Sequence, residues 1–389
     1  MFSSMVIGIT AEWNPFHQGH RTMIQKIKST YPEASLIAIM SGAFVQRGEP
    51  ALFDKWTRAR WALENGIDAV FEFPSLYALQ SADYFSGYAV DMLAALGVSH
   101  IAFSTESLSK NNLIEAAQWS ISDAYESLLH QFIQDGSTYG EAAHHAMSVV
   151  SPFFAKESTQ PNNLLGLRYT ERICRQKYPI DIIAIHRDME HNISASDARK
   201  DLLSQNDTDL LTHAQREEAK KLMQLGHYTN PLRYEDACHL ATRQLSLSDL
   251  FATGLFTEGL ENKWHKECEK ESYNEMLSAI KSKRYLYSSL KRIGAKLLLG
   301  HTKGRSPFLT PPPPCYARLL ALRREKSCLL RNSPLPIITS TARALKSLPA
   351  EATAMLSMDI HAQNIQNWCQ NTSFYRKGNV DFYQSPLIL

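Results

Sequence analysis

The chain has 389 residues, of which 44% are apolar, and a formal net charge of +2. This length exceeds one ordinary core, so two domains are expected, and with so small a net charge any affinity for nucleic acid has to come from local basic patches. No apolar run approaches the ~20 residues of a membrane span. The six cysteines include no C-x-x-C pair, which indicates reduced thiols, no zinc site and a cytoplasmic location.

The first half of the sequence alternates strands and helices. Apolar periodicity predicts strands over residues 5–11, 35–40, 68–73, 98–103 and 180–186, with helices over 20–30, 55–65, 82–96 and 164–176 between them. This alternation predicts an α/β fold with a doubly wound parallel sheet over residues 1–204. The pattern over residues 205–389 predicts a mainly helical C-terminal domain. Ligands of such sheets bind at the carboxyl ends of the strands.

The segment after the first strand contains two histidines three residues apart. The order of strand, turn with Pro15, Gly19 and helix start places His17 and His20 at a helix N-terminus. The first turn of a helix leaves backbone N–H groups unpaired and its dipole favours anions, while imidazoles donate to phosphate and gain charge easily near neutral pH. The spacing therefore predicts a triphosphate site. The alternative is that the histidines only cap or line a helix end.

A second anion site is predicted after the last strand of the sheet. Arg187 follows that strand, and Ser194 opens a further helix that contains Ser196 and Arg199. The N–H groups of this helix start, the Ser196 hydroxyl and the Arg199 guanidinium would face the histidine site. Two helix N-termini that face each other at the carboxyl edge of a sheet can bind the phosphates of a nucleotide.

Three clusters that follow other strands are candidate contacts to a nucleotide or to RNA. Arg47 and Lys55 follow the second strand and would neutralise phosphate or bind RNA, or else belong to a solvated loop and an exposed helix start. Ser104 follows the fourth strand and would contact a base or ribose. Asn162 and Asn163 would read an adenine edge or cap the helix that they begin.

The second half carries a basic stretch, residues 281–305, that contains no acidic residue. Lysine and arginine supply phosphate affinity and tyrosine stacks on unpaired bases, so an RNA-docking surface is predicted, the alternative being a solvated helix face. A second basic run, residues 318–331, is predicted on a helix. The candidate RNA contacts of the first stretch are Lys281, Lys283, Arg284, Tyr285, Lys291 and Arg292.

Several blocks of the sequence resemble the bacterial tRNA(Met) cytidine acetate ligase family of the nucleotidylyltransferase superfamily. The resemblance is carried by residues 11–20 with His-x-Gly-His, by Met-Ser-Gly-Ala-Phe-Val-Gln-Arg-Gly-Glu-Pro-Ala at 40–51, and by 54–59, 80–85, 161–166 and 193–199. It implies a Rossmann-like doubly wound parallel sheet of the nucleotidylyltransferase type, followed by a mainly helical C-terminal domain. Four positions depart from the family pattern: Ser104 stands where glycine is usual, Trp13 where tyrosine is usual, Ser196 where threonine is usual and Ala198 where isoleucine is usual.

The resemblance implies an enzyme that activates acetate with ATP and acetylates N4 of the wobble cytidine in elongator tRNA(Met). Its partners would be acetate and that tRNA, with no membrane or protein partner, and Mg²⁺ would assist. ATP would be held by Thr10, Ala11, Glu12, Asn14, Pro15, Phe16, His17, Gly19, His20, Met23, Ser104, Asn162, Asn163, Arg187, Ser194 and Ser196.

The chemistry of this reaction does not call for a nucleophile from the protein. Joining acetate to AMP makes a mixed anhydride, acetyl-adenylate, whose later reaction expels AMP. His17, His20 and Arg199 are predicted to stabilise the departing pyrophosphate. Two alternatives stay open. A metabolite adenylyltransferase would not need the basic helical half, and a nucleotide-regulated RNA-binding protein would need no catalysis.

Overall fold

The computed structural model describes residues 5–187, 194–282, 284–300, 304–331 and 333–389. The strands are β1 (Val6–Ala11), β2 (Ser35–Ser41), β3 (Phe44–Val45), β4 (Glu49–Pro50), β5 (Ala69–Phe73), β6 (His100–Thr105), β7 (Asp181–His186), β8 (Ala317–Leu322), β9 (Ile337–Ile338) and β10 (Leu387–Ile388).

The helices lie between these strands and make up most of the second half. The α-helices are α1 (Gln18–Thr30), α2 (Lys55–Glu64), α3 (Ser75–Ala78), α4 (Ala82–Ala95), α5 (Lys110–Ser120), α6 (Asp123–Gln134), α7 (Tyr139–Val150), α8 (Pro152–Glu157), α9 (Pro161–Gln176), α10 (Ala195–Leu203), α11 (His213–Leu225), α12 (Pro231–Arg243), α13 (Leu247–Thr253), α14 (Leu260–Glu267), α15 (Tyr273–Ile280), α16 (Tyr287–Leu299), α17 (Thr341–Ser347) and α18 (Ala350–Trp368). Short 3₁₀ helices cover Pro307–Leu309, Arg324–Leu330, Ser373–Tyr375 and Val380–Phe382. None of the described helices is long and apolar enough to cross a membrane.

The main sheet has the strand order β10-β8-β5-β2-β1-β6-β7, with β9 beside β8. The neighbours among β1, β2, β5, β6 and β7 pair in parallel. The chain moves outward from β1 through β2 to β5 and then returns to the opposite side of β1 for β6 and β7. This order confirms the doubly wound sheet, and the reversal places a crevice at the carboxyl ends of β1 and β6.

Both faces of the sheet are covered by helices. Along β2, Ile37 and Ile39 belong to one apolar cluster, whereas Leu36, Ala38 and Met40 belong to the other. This alternation is the period of a strand, and burial on both faces explains why β2 reads as an unbroken apolar run. The first cluster continues into α4, α9 and the helices of the second half, and the second cluster continues into α1 and α2.

The second half of the chain contributes strands as well as helices. β8 pairs antiparallel with β5, and β9 and β10 pair in parallel with β8. The prediction that residues 318–331 form a helix is wrong. The run through Leu322 is a strand buried along its whole length, and Arg324–Leu330 forms a 3₁₀ helix. The division of the chain at residue 204 stays a prediction, and the sheet draws on residues from both sides of it.

Lys55 lies in the core, so its predicted contact with RNA is wrong. Its Nζ lies 2.7 Å from Glu72 Oε1 and 2.7 Å from Asp381 Oδ1, and the residue is 0% exposed. Arg318 of β8 completes the cluster, with Nη1 at 3.1 Å from Glu72 Oε2 and in contact with Asp381. Two cations offset two carboxylates, and the cluster fastens β5 and β8 to the C-terminal segment.

Candidate active site

The turn between β1 and α1 is buried and fixed by its own contacts. The Asn14–Pro15 peptide bond is cis, and Phe16 is 0% exposed. The Asn14 side chain accepts a hydrogen bond at 2.8 Å from Leu52 N. The end of β1 and this turn together hold the predicted nucleotide contacts Thr10, Ala11, Glu12, Asn14, Pro15 and Phe16.

The two histidines follow directly and are held side by side. His17 Nδ1 accepts from Gly19 N at 3.1 Å, and His20 Nδ1 accepts from His17 N at 3.2 Å. The rings stack with their centroids 3.6 Å apart and their planes 23° apart. Because Nδ1 is an acceptor in both rings, the proton of each neutral imidazole is on Nε2. The pair therefore offers two N–H donors from one place.

Both histidines are neutral near pH 7. Burial, followed by the charge of Arg187, lowers the pKa of His17 to about 4. Burial, then His17 and Arg187, hold the pKa of His20 well below its usual value. The prediction that these imidazoles gain charge easily is therefore wrong, because the proton would enter a buried site near a guanidinium. The pair can donate hydrogen bonds to phosphate without being cationic.

The backbone of the first turn of α1 is already occupied. Gln18 N donates to Leu210 O at 2.8 Å, and Gly19 N donates to the His17 ring. The prediction that unpaired N–H groups of this turn bind phosphate is wrong for these two residues, since the chain supplies their acceptors. Phosphate contacts here are left to the ring nitrogens and to neighbouring cations.

Arg199 joins the start of α10 to the histidine turn. Its Nη1 donates to Asn14 O at 2.6 Å, and its Nη2 donates to Ser196 Oγ at 3.3 Å. Ser194 caps α10 by accepting from Ser196 N at 3.1 Å. The exposed Arg47 donates to the same Ser196 hydroxyl at 3.1 Å. The structure thus brings the predicted second anion site against the first.

Two charged residues hold the surrounding loops, and one of them, Arg58, was not predicted as a site residue. Arg58 is 0% exposed, and its Nη1 donates to Glu12 O at 2.7 Å and to Ser41 O at 2.9 Å. It also contacts the Gly42 carbonyl. Glu12 Oε1 accepts from Gln46 N at 2.6 Å, and burial raises the pKa of Glu12. Together they fix the loop after β2 to the end of β1.

Ser104, Met23 and Arg187 gather at the carboxyl ends of β6 and β7. Ser104 Oγ lies 3.4 Å from Met23 Sδ, which places the end of β6 against α1. The Arg187 backbone N–H donates to Thr105 O at 2.8 Å. Its guanidinium is close enough to both histidines to lower their pKa values. Of the residues predicted to hold ATP, Ser104 and Met23 are therefore in contact with each other, and Arg187 lies near the histidine pair.

Asn162 and Asn163 are engaged by the loop that follows β6. Asn163 is 0% exposed, and its Oδ1 accepts from Glu106 N at 3.0 Å and from Ser107 N at 3.3 Å. Its Nδ2 donates to the Ser107 hydroxyl at 2.8 Å and to Glu157 O at 3.1 Å. The predicted contact of Asn163 with adenine is wrong, because both its Oδ1 and its Nδ2 are already hydrogen-bonded within the chain. Asn162 Nδ2 donates to Glu106 Oε1 at 2.6 Å.

The predicted RNA contacts on α16 hold the loop of residues 46–50. Lys291 Nζ lies 3.3 Å from Glu49 Oε2, and Arg292 Nη1 donates to Gln46 O at 3.5 Å. These two side chains are partly buried. They connect the helical half to this loop, which we call the motif loop, and are not free in solvent.

The residues just before α16 are more open. Lys281 and Arg284 are exposed, and Arg284 is paired with Glu258. The Tyr285 hydroxyl donates to a backbone carbonyl at 3.1 Å. Lys283 lies outside the described residues. Lys281 and Arg284 keep the exposure that an RNA contact requires.

The sheet, the two joined helix starts and the paired histidines define a nucleotidyl transferase of the HIGH type. The profile of that family, HIGH Nucleotidyl Transferase, matches residues 4–381.

Individual relatives narrow this class. The tRNA(Met) cytidine acetate ligase of Clostridium botulinum (strain Langeland) is 30% identical over 415 residues, which cover 99% of this chain and 98% of the relative. The Clostridium kluyveri protein of the same name is 29% identical over 422 residues, 99% of each chain. The crystal structure of Thermotoga maritima TmcAL bound with α-thio ATP matches with a TM-score of 0.91 at 25% identity over 99% of both chains. The chain belongs to the tRNA(Met) cytidine acetate ligase family and is an enzyme of the ligase class.

Proposed function

We propose that the chain activates acetate with ATP and transfers the acetyl group to N4 of the wobble cytidine of elongator tRNA(Met). The observation that carries this proposal is the joining of the neutral pair His17 and His20 to Arg199 at one turn. The names of the full-length relatives and the α-thio ATP bound to the Thermotoga protein support it.

In the first step, a carboxylate oxygen of acetate attacks the α-phosphate of ATP. An O–P bond forms, and the bond to pyrophosphate breaks. Both reactants are anions, so the step needs positioning and stabilisation of charge rather than a protein nucleophile. The Nε2–H groups of His17 and His20 would donate to phosphate oxygens, and Arg199 would stabilise the leaving pyrophosphate.

ATP would lie along the β1-to-α1 turn, with its adenosine toward Ser104, Met23 and Arg187. The described part of the chain contains no group of three or more His, Cys, Asp or Glu residues that could hold a metal ion. Mg²⁺ is usually bound by one or two carboxylates together with substrate phosphates. Glu12, whose Oε1 accepts from Gln46 N, would supply one carboxylate through its other oxygen, and the ion would neutralise phosphate charge.

In the second step, N4 of the cytidine attacks the acetyl carbonyl. A C–N bond forms, the C–O bond to AMP breaks so that AMP leaves, and the amine gives up one proton to solvent. The tRNA is a polyanion, so its docking needs a basic surface. Lys281 and Arg284 would supply part of that surface, within the proposed helical domain 205–389. A tRNA substrate also assigns the activity to the cytoplasm.

The proposal is tested by transfer of labelled acetate to an unmodified elongator tRNA(Met) transcript with ATP and Mg²⁺. A transcript that lacks the wobble cytidine is the control. Label that disappears with this cytidine supports both steps, whereas acetate-dependent AMP without label in the RNA moves the acceptor elsewhere. No acetate-dependent AMP at all would overturn the proposal and favour a metabolite adenylyltransferase.

A further inference from the structure

A cavity of about 370 Å³ lies between α10 and the helices of the second half. Its walls include Ser196 and Arg199 of the phosphate site, Tyr234 and Glu235 of α12, and Lys291 of α16. We call it the Tyr234 cavity. A ligand in this place would touch both the residues joined to the histidine turn and the basic helical half.

An aromatic side chain in the wall of the Tyr234 cavity is held at both ends. The Tyr234 hydroxyl donates to Gly48 O at 2.7 Å. Its ring packs edge-on against Phe44, with the centroids 5.8 Å apart. Pro50 and Leu52 also line the cavity. A fixed aromatic ring among apolar side chains suits a planar base.

The two carboxylates that line the cavity differ in their partners. Glu49 Oε1 lies 3.4 Å from Arg199 Nη2, and its Oε2 lies 3.3 Å from Lys291 Nζ. Glu235 accepts one hydrogen bond from the described residues, at 2.8 Å from Asn274 Nδ2 to Oε2. Glu49 is therefore offset by cations, whereas Glu235 keeps an oxygen that can accept from a ligand. The free oxygen of Glu235 therefore offers an acceptor to an N–H donor of a ligand.

We propose that the Tyr234 cavity receives the acceptor cytidine after its base has left the stack of the anticodon loop, an inference that rests on the function proposed above. Enzymes that modify bases place the base in a pocket, read its Watson–Crick edge and stack it on aromatic or apolar side chains. Cytosine presents N4 as a donor, and carboxylates accept from that amine. Glu235 recognises the amine, and Arg199 and Ser196 connect the cavity to the phosphate site.

Filling the cavity tests this assignment. Leu203 lines the cavity and is 38% exposed, so a larger side chain there leaves the core intact. Leu203→Trp should lower acetyl transfer to tRNA about tenfold or more, the loss expected when a base loses its stacking site. Acetate-dependent exchange of pyrophosphate into ATP, measured without tRNA, should be retained. Leu225→Trp is the matched control, because Leu225 is 47% exposed and is not a wall of the cavity.

A second variant tests recognition of the amine by binding alone. Glu235→Gln keeps the size of the side chain but replaces an acceptor by a group that both donates and accepts. Wild-type protein should bind a transcript with wobble cytidine about tenfold more tightly than one with uridine, and the variant should lose this preference. Asp236→Asn, at the next and exposed position, should keep it.

The outcomes distinguish a failure of the cavity assignment from a failure of the proposed function. If exchange and transfer fall together in Leu203→Trp while the melting temperature is unchanged, the cavity belongs to ATP and the inference is overturned. A cytidine preference that survives in Glu235→Gln also overturns it, even if the first variant does not fold. A wild-type chain without acetate-dependent exchange would overturn the proposed function instead, before any variant is compared.

Discussion

Arg199 donates from Nη1 to the backbone carbonyl of Asn14 at 2.6 Å, between residues 185 positions apart in the chain. The same guanidinium contacts Ser196 Oγ at 3.3 Å and Glu49 Oε1 at 3.4 Å. One side chain therefore connects the turn before the histidines, the start of α10 and the motif loop. This contact explains how two local motifs, distant in sequence, act as one site.

Arg199→Lys should lower acetate-dependent pyrophosphate exchange about 100-fold, the usual loss when a donor to developing charge is removed. A lysine keeps the charge, but its single ammonium cannot reproduce the planar fork that contacts three partners. The measurement is kcat and KM for ATP. Arg175→Lys, at an exposed arginine paired with Glu126, is the control and should behave as wild type. Full activity in Arg199→Lys would show that charge alone is sufficient.

His17 should make the stability of the fold depend on pH. Its pKa is about 4 in the folded chain, against an ordinary value of 6.5. As the pH falls below 6.5, the unfolded chain takes up a proton that the folded chain does not, so stability is lost between pH 6.5 and pH 4. His17→Asn should remove this dependence, worth about 2 kcal/mol at pH 5. Asparagine is also a good N-cap, so α1 keeps its cap.

Urea unfolding at pH 7 and pH 5 measures this effect. The wild type should lose more stability between the two values than His17→Asn does. His130→Asn, at an exposed histidine of α6, serves as the control and should keep the wild-type dependence. An equal loss in the wild type and His17→Asn would contradict a buried, neutral His17.

The parts of the site that sequence predicts well are those made by neighbouring residues. Each predicted strand of the first half lies within two residues of its observed bounds, because an apolar run and its flanking turn are local features. The same holds for the pair His17 and His20 and for the cap Ser194, whose positions follow from a turn and a helix start. The right-handed crossover of parallel strands then fixes the face of the sheet on which each connecting helix lies.

The parts that sequence could not predict depend on distant partners. Lys55 at a helix start is typical of an exposed residue, but its partner Asp381 lies 326 positions further along the chain. The side-chain amide of Asn163 is hydrogen-bonded by a loop that begins 57 positions earlier. Arg58 did leave a signal, since it lies four residues before the buried Ala62 on the same side of α2. Its acceptors are backbone carbonyls, which have no sequence signature.

Lys55→Met should lower the free energy of unfolding by about 3–5 kcal/mol, because it leaves buried carboxylates short of one cation. Urea unfolding measures the loss. The control is Lys28→Met, whose ammonium is partly exposed and lies 3.9 Å from Asp68, and which should cost about 1 kcal/mol or less. The affinity of the folded Lys55→Met variant for tRNA should equal that of the wild type. Weaker tRNA binding without a loss of stability would instead support the prediction that Lys55 contacts RNA.

Gly48→Ala tests whether the loop of residues 46–50 is fixed against α16. Gly48 has φ = +79°, and a Cβ there would lie 2.4 Å from Arg292 N and 2.5 Å from Lys291 C. Backbone atoms of a packed helix cannot give way as a flexible side chain can, so the loop or the helix has to move. Gly97 is the matched control, with φ = +76° and nothing described within 4 Å of its Cβ position.

Gly97→Ala should cost about 1 kcal/mol, the strain of a left-handed backbone alone. Gly48→Ala should cost about 1–3 kcal/mol more, because it adds a collision in a packed region. Urea unfolding gives both values. Since Glu49 and Lys291 line the Tyr234 cavity, Gly48→Ala should also lower acetyl transfer to tRNA more than pyrophosphate exchange. Equal costs for the two alanines would mean that α16 does not restrain the loop of residues 46–50.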